Sequence, residues 1–227
     1  MDTIFSPDPP VTLAVVSSKP FPVRRIYCIA RNYADHAREM GSDPDREAPF
    51  FFTKPANAIL PGNSVMPYPP ATQNLHHEVE LVVAMLSGGR DIAVARANDH
   101  IFGYAVGLDM TRRDLQAAAK AKGQPWDMAK GFDFSAPCSA ITPQLQSGVI
   151  TRGKITLKVN GELRQSGDVG DMIWKIPEII HRLSQLVALC PGDLIFTGTP
   201  AGVGPVVKGD RLEAMVQGLE SLTVMIG

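Results

Sequence analysis

The sequence predicts an α+β fold dominated by β-structure, on three observations. Short strand-like segments recur along the chain, helical patterns are few, and the two do not alternate regularly. The last point argues against a doubly wound sheet or an eight-fold barrel. At 227 residues the chain is long enough for a sizeable core.

Each element has its own signal. Residues 1–22 hold five prolines and a short β-like run, Val11 to Val16, and read as an N-terminal arm. The body, residues 23–227, reads as a single domain. Arg25 to Ala30 is a strand, and Asn32 to Met40 a short helix ended by Gly41. A polar loop follows, Gly41 to Pro49. Phe50 to Phe52 is a brief aromatic strand, and Asn57 to Thr72 a proline-rich loop. Glu78 to Leu86 is a strand turned by Gly88-Gly89, and Ile101 to Asp109 another. Arg112 to Lys122 is helical, with Gly123 as its stop. Ile155 to Val159 leads into Asn160-Gly161, a type I′ hairpin signal. Pro177 opens a helix whose apolar face holds Ile180, Leu183 and Val187. Leu194 to Thr197, Arg211 to Val216 and Ser221 to Ile226 are late strands.

Composition narrows the function. A net charge of -1 gives no pull toward nucleic acid or an anionic membrane. No apolar run is long enough to span a bilayer, and no secretory signal is visible. Cys28, Cys138 and Cys190 are scattered and odd in number. They read as reduced cytosolic thiols, buried in apolar surroundings, and a cytoplasmic location is expected.

The most informative segment is His76-His-Glu-Val-Glu-Leu-Val-Val83. On a strand His76, Glu78 and Glu80 share one face and Val79 and Leu81 the other. Adjacent carboxylates repel unless something neutralises them, and a hard divalent cation does this well. Asp109, at the end of a second apolar strand, supplies a third carboxylate if the strands are neighbours. A solvated strand face carrying ordinary acids is the competing reading. His36 and Glu39, three apart on the short helix, lie within mutual reach. A carboxylate orients a histidine and raises its basicity, as a general base requires; a surface ion pair is the alternative. Asn32 is suited to cap that helix.

Together these segments resemble the fumarylacetoacetate hydrolase family. The matching stretches are Arg31-Asn-Tyr-Ala-Asp-His-Ala-Arg-Glu-Met40, Phe52-Thr-Lys-Pro55, His76-His-Glu-Val-Glu-Leu81 and Asp109-Met-Thr-Arg-Arg-Asp-Leu-Gln116. Trp126-Asp-Met-Ala-Lys-Gly-Phe-Asp133, Lys158-Val-Asn-Gly161 and Thr197-Gly-Thr-Pro-Ala-Gly-Val-Gly204 complete the set, in family order. The resemblance implies rolled mixed β-sheets, a homodimer, and Mg²⁺ or Mn²⁺ held by Glu78, Glu80 and Asp109. It also implies His36, Glu39 and Lys130 as catalytic residues and Arg31, Lys54, Arg113, Gln116 and Thr199 as substrate contacts. His76 either orients a ligand from behind or is a packed histidine. One departure stands out: Ala30 occupies a position where many relatives carry glycine.

These parts imply hydrolysis of a carbon–carbon bond in a small 2,4-dioxo acid. His36, backed by Glu39, takes a proton from water, hydroxide attacks the distal carbonyl, and the enolate of pyruvate leaves. Fumarylpyruvate, an intermediate of gentisate breakdown, is the favoured substrate, because Arg112 and Arg113 resemble that branch of the family. An extra cation there would pair with the distal carboxylate. The alternatives are a broader acylpyruvase or oxaloacetate decarboxylase on the same site, and a non-catalytic metal-binding dimer. The short helix and its polar loop have little apolar surface and read as a lid over residues 32–49.

Overall fold

The computed structural model describes residues 4–6, 8–35 and 48–227. Its centre is a mixed sheet of eight strands. Along its main path the order is Phe50–Lys54, Arg25–Ala30, Asp193–Phe196, Val79–Met85, Ile101–Leu108, Ala136–Cys138 and Ile59–Pro61; Thr142–Pro143 also pairs with Ile101–Leu108. Arg25–Ala30 runs parallel to Asp193–Phe196, and Ala136–Cys138 parallel to Ile59–Pro61; the other ladders are antiparallel. A five-stranded sheet runs Glu162–Asp168, Lys154–Val159, Arg211–Val216, Leu222–Ile226, Ser64–Met66. A small third sheet joins Thr111–Arg112, Leu75–His77 and Gly204–Val206. The fold is thus predominantly β, as the segment pattern predicts.

Both faces of the central sheet are covered, so Val79–Met85 is buried at every position. Val79, Leu81, Val83 and Met85 join one core with Ile155 and Leu157 of the five-stranded sheet and with Ile179, Ile180 and Leu183 of the Ile176–Leu186 helix. Val82 and Ala84, on the opposite parity, join a second core with Leu13, Val15 and Phe21. The hairpin Thr12–Leu13/Phe21–Pro22 therefore seals the far face, with each large apolar side chain contributing about 1.5–3 kcal/mol. This second core is packed tightly against the sheet. A Cβ on Gly107 would come within 2.6 Å of Phe196 and Val82.

Three expectations change. The acidic strand is broken at Glu78: Leu75–His77 belongs to the small sheet and Val79–Met85 to the large one. The stretch 57–72 is not all loop, because Ile59–Pro61 and Ser64–Met66 pair in parallel with strands far along the chain. The aromatic strand runs on to Lys54. The Asn160-Gly161 turn has φ of 52° and 82°, the geometry its type requires. The Ile176–Leu186 helix starts one residue before Pro177.

Asp193, fully buried at the start of its strand, ties that strand to its neighbour Arg25–Ala30. Arg25 grips it with Nε at 3.1 Å and Nη2 at 2.8 Å, and Arg24 adds a third contact at 3.2 Å. Cys28 and Cys138 are buried, and burial pushes both thiols up, Cys138 to about 12. They are inert packing groups. No helix among the described residues is long and apolar enough to cross a membrane.

Candidate active site

Two neighbouring strands bring the carboxylates together. Val79 pairs with Leu108 and Glu80 with Gly107, and Asp109 N–H donates to Glu78 O at 2.8 Å. Partners across an antiparallel ladder share a face. Glu78, Glu80 and Asp109 thus converge, with a carboxylate oxygen of each within 4.8 Å of the others, all buried.

Cations from three other segments reach in. Lys130, on the short helix Asp127–Lys130, places Nζ 2.8 Å from Glu78 Oε2 and 2.6 Å from Asp109 Oδ2. Burial alone would lower its pKa, but Asp109 and Glu78 outweigh this and raise it, so Lys130 is a fixed ammonium. Lys54, at the end of the aromatic strand, lies 2.8 Å from Asp109 Oδ1 and also donates to Met110 O and Lys130 O. It stands behind Asp109, outside the cleft lining. Arg113, the first residue of the Arg113–Ala121 helix, reaches Glu78 Oε1 with Nη2 at 2.5 Å.

Arg113 also fixes its neighbours. Its Nη1 donates to Gln116 Oε1 at 2.7 Å, which turns the Gln116 amide N–H₂ away from Arg113. Its Nε reaches His76 Nδ1 at 3.4 Å, while His76 Nε2 lies 2.8 Å from Asn74 Oδ1. Burial and then Arg113 hold the His76 pKa down to about 4, so the ring is neutral. His76 supports Arg113, which in turn holds Glu78.

Glu80 differs from the other two acids. It accepts Gly198 N–H at 2.7 Å, and no cation among the described residues pairs with it directly. Burial, then Asp109 and Glu78, push its pKa well above the carboxylate range. Among the described residues Asp109 Oδ1 accepts no hydrogen bond of normal geometry despite the Lys54 contact. Three converging hard oxygen donors, one of them without a cationic partner among the described residues, fit a divalent cation.

The cleft over this cluster is lined by Arg31, Arg113, Gln116, Lys130, Gly198 and Thr199. Ile29 and Ala30 complete the inner wall, and Ala30 needs no positive φ; the left-handed residue is Arg31, at 57°. The loop after Phe196 is anchored by Thr197, whose hydroxyl donates to Leu81 O at 2.8 Å. Gly198 has φ of 91°, and a Cβ there would meet Asn32 Cβ at 2.7 Å. Asn32 joins this loop to a second segment. Its side chain donates to Thr197 O and Trp174 O and accepts Trp174 N–H.

His36 and Glu39 lie outside the described residues, as does most of the expected lid. Arg112 does not line the cleft. Its guanidinium stacks 4.3 Å from the Phe132 ring centroid and donates to Met128 O. The cation that does reach the outer cleft is Lys120, one helical turn beyond Gln116, 5.0 Å above the Trp126 ring. Trp126 stacks edge-on to Phe50, and with Phe52 forms an aromatic wall. The i, i+4 spacing from Gln116 is the signal that points to Lys120.

Fold and site together define an enzyme cleft that gathers three buried carboxylates under a cationic wall. The family model described as fumarylacetoacetate (FAA) hydrolase C-terminal matches residues 25–226. The chain belongs to the fumarylacetoacetate hydrolase family. It is 47% identical over 203 residues to oxaloacetate tautomerase FAHD1, mitochondrial, of Homo sapiens, covering 89% of this chain and 91% of that protein. It is 44% identical over 190 residues to a fumarylpyruvate hydrolase of a Ralstonia species, covering 83% and 98%. The crystal structure of fumarylpyruvate hydrolase from Pseudomonas aeruginosa, in complex with Mn²⁺ and pyruvate, superposes with a TM-score of 0.97 at 48% identity, over 99% of both chains.

Proposed function

We propose that the chain hydrolyses the carbon–carbon bond of an acylpyruvate, with fumarylpyruvate giving fumarate and pyruvate as the favoured reaction. The observation that carries this reading is the charge pattern of the cleft. Three acids are offset by Lys54, Lys130 and Arg113, so a divalent cation leaves an excess of positive charge, to which Arg31 and Lys120 add. Such a cleft suits a small dianion. Likeness to two fumarylpyruvate hydrolases supports the same substrate.

In this reading Glu78, Glu80 and Asp109 hold Mg²⁺ or Mn²⁺. The ion supplies a Lewis acid for the negative charge that develops on the pyruvate half. The protein does the rest. Lys130, fixed between Glu78 and Asp109, adds positive charge beside the keto acid. Lys54 acts through Asp109. Arg31 and Thr199 contact the substrate from the inner wall, and Arg113 from its place on Glu78. His36, oriented by Glu39, takes a proton from water as it adds to the distal carbonyl. The Gln116 amide, turned by Arg113, donates to the resulting oxyanion. The bond between that carbon and the pyruvyl methylene then breaks. Its electron pair passes into the pyruvate enolate, which takes the proton back. We place the enzyme in the cytoplasm as a homodimer, to be checked by light scattering.

A second reading is favoured by the likeness to the human oxaloacetate tautomerase: the same cleft acting on oxaloacetate, by decarboxylation or tautomerisation. Assays of fumarylpyruvate, acetylpyruvate and oxaloacetate side by side separate the two. The hydrolase reading requires fumarylpyruvate to have the highest kcat/KM, and dominant oxaloacetate turnover replaces it with the second.

A further inference from the structure

Thr199 faces the cleft, yet its hydroxyl is held from the opposite side by a residue of another sheet. Gln165 lies on Glu162–Asp168, in the five-stranded sheet, and is fully buried. Its Nε2 donates to Thr199 Oγ1 at 2.8 Å and to Pro200 O at 2.8 Å. Its Oε1 accepts Val79 N–H at 3.0 Å and lies 3.0 Å from His77 Nδ1.

Two backbone groups remove any ambiguity in that amide. Val79 N–H can only donate, so the atom facing it is the oxygen. Pro200 O can only accept, so the atom facing it is the nitrogen. Two further assignments follow. His77 carries its proton on Nδ1, because it faces an acceptor; burial first holds its pKa down, which suits a neutral ring. Thr199 Oγ1 receives a proton from Gln165, so its own proton must point elsewhere. Among the described residues this is the one hydrogen bond to that oxygen, and Thr199 lines the cleft.

We propose that Gln165 is a positioning residue: by donating to the Thr199 hydroxyl it turns that hydroxyl's proton into the cleft, as a donor to the carboxylate of a bound keto acid. This rests on the reading of the cleft as a keto-acid site. It goes further by assigning a donor direction to Thr199 and its cause to a residue that never touches substrate. The Val79 N–H that fixes the amide begins the strand carrying Glu80, so donor and carboxylates share one register.

A double-mutant cycle on oxalate binding tests the proposal. Calorimetry on Mn²⁺-loaded protein reads the dissociation constant, with the thermal midpoint of each metal-free variant checking the fold. Thr199→Val removes the hydroxyl and keeps the shape, and should weaken oxalate about 10–100-fold, as expected for a donor to a charged group. Gln165→Met should weaken it comparably in the wild-type background, and by less than about twofold in Thr199→Val. Thr199→Ser, which keeps the hydroxyl, should stay within about threefold of wild type. Multiplicative losses in the cycle would mean Gln165 acts without Thr199 and would overturn the proposal. If Gln165→Met does not fold, Thr199→Val decides alone: unchanged oxalate affinity removes the donor. Oxalate binding needs no turnover, so failure to cleave fumarylpyruvate would sink the hydrolase reading while leaving this cycle to be judged separately.

Discussion

Lys130 Nζ lies 2.6 Å from Asp109 Oδ2, both side chains buried, with Glu78 Oε2 2.8 Å from the same nitrogen. One ammonium thus bridges two of the three carboxylates, and among the described residues Glu80 is left to one backbone N–H. The site is balanced unevenly, and the imbalance falls on one residue.

That imbalance sets the coupling between metal and protons. Glu80 has its pKa raised in the metal-free fold, so it destabilises the protein as pH rises above its unfolded value, and a bound cation relieves this. Mn²⁺ should raise the melting temperature more at pH 8 than at pH 5. At the acidic end of this range, calorimetry in two buffers of different ionisation enthalpy should show proton release on metal binding. Glu78→Ala or Asp109→Ala should abolish turnover with the fold kept. Full activity after exhaustive chelation would remove the metal from the reading.

His36→Ala should lose acylpyruvate hydrolysis by roughly 10²–10⁴-fold, the usual contribution of a general base. Glu39→Gln should lose less, since it still orients the ring. Any oxaloacetate decarboxylation should fall less in both variants, because it needs no attacking water. Intact hydrolysis of fumarylpyruvate in His36→Ala would reduce the pair to an ion pair.

Lys120 lies on the cleft lining and has its pKa lowered, by burial first and then by Arg113 and Arg31. A distal substrate carboxylate would offset that crowding of positive charge. Lys120→Met should cut kcat/KM for fumarylpyruvate by about tenfold, the loss of one charge-assisted contact. For acetylpyruvate, which has no distal carboxylate, the change should stay within about twofold. Equal losses on both substrates would assign Lys120 to packing against Trp126.

Asp193→Asn tests the fold independently of catalysis. It removes a buried charge gripped by Arg25 and Arg24, both partly exposed, so water can take up part of the loss. Urea denaturation should show a loss of roughly 2–3 kcal/mol with unchanged slope. A loss below about 0.5 kcal/mol would show that the pair contributes geometry and little stability.

The sequence made local features legible. Asn160-Gly161 encodes its own turn, and Pro177 with the apolar spacing after it encodes the Ile176–Leu186 helix. The carboxylates were legible because Glu78, Glu80 and Asp109 lie in short motifs on or next to two strands that pair directly. Arg112 misleads because adjacent arginines look alike in sequence, whereas the two point to different partners, Phe132 and Glu78. Lys120 and Gln165 escaped for a different reason. Their roles depend on Trp126 and Thr199, which are brought near by tertiary packing and by the pairing of sheets, and no local spacing records that. The break at Glu78 was hidden because one hydrophobic alternation runs through strands of two sheets.

Asn32 links the strand end that carries Arg31 to Trp174 and to Thr197, two residues before Thr199. With its side chain in place, the two sides of the inner cleft cannot drift apart one at a time. They form a single unit of local unfolding, whose opening exposes a buried amide together with three backbone groups. Amide exchange at Trp174, Gly198 and Thr199 should therefore follow one opening free energy, and the cleft should lose its shape in one step, before the two cores begin to melt.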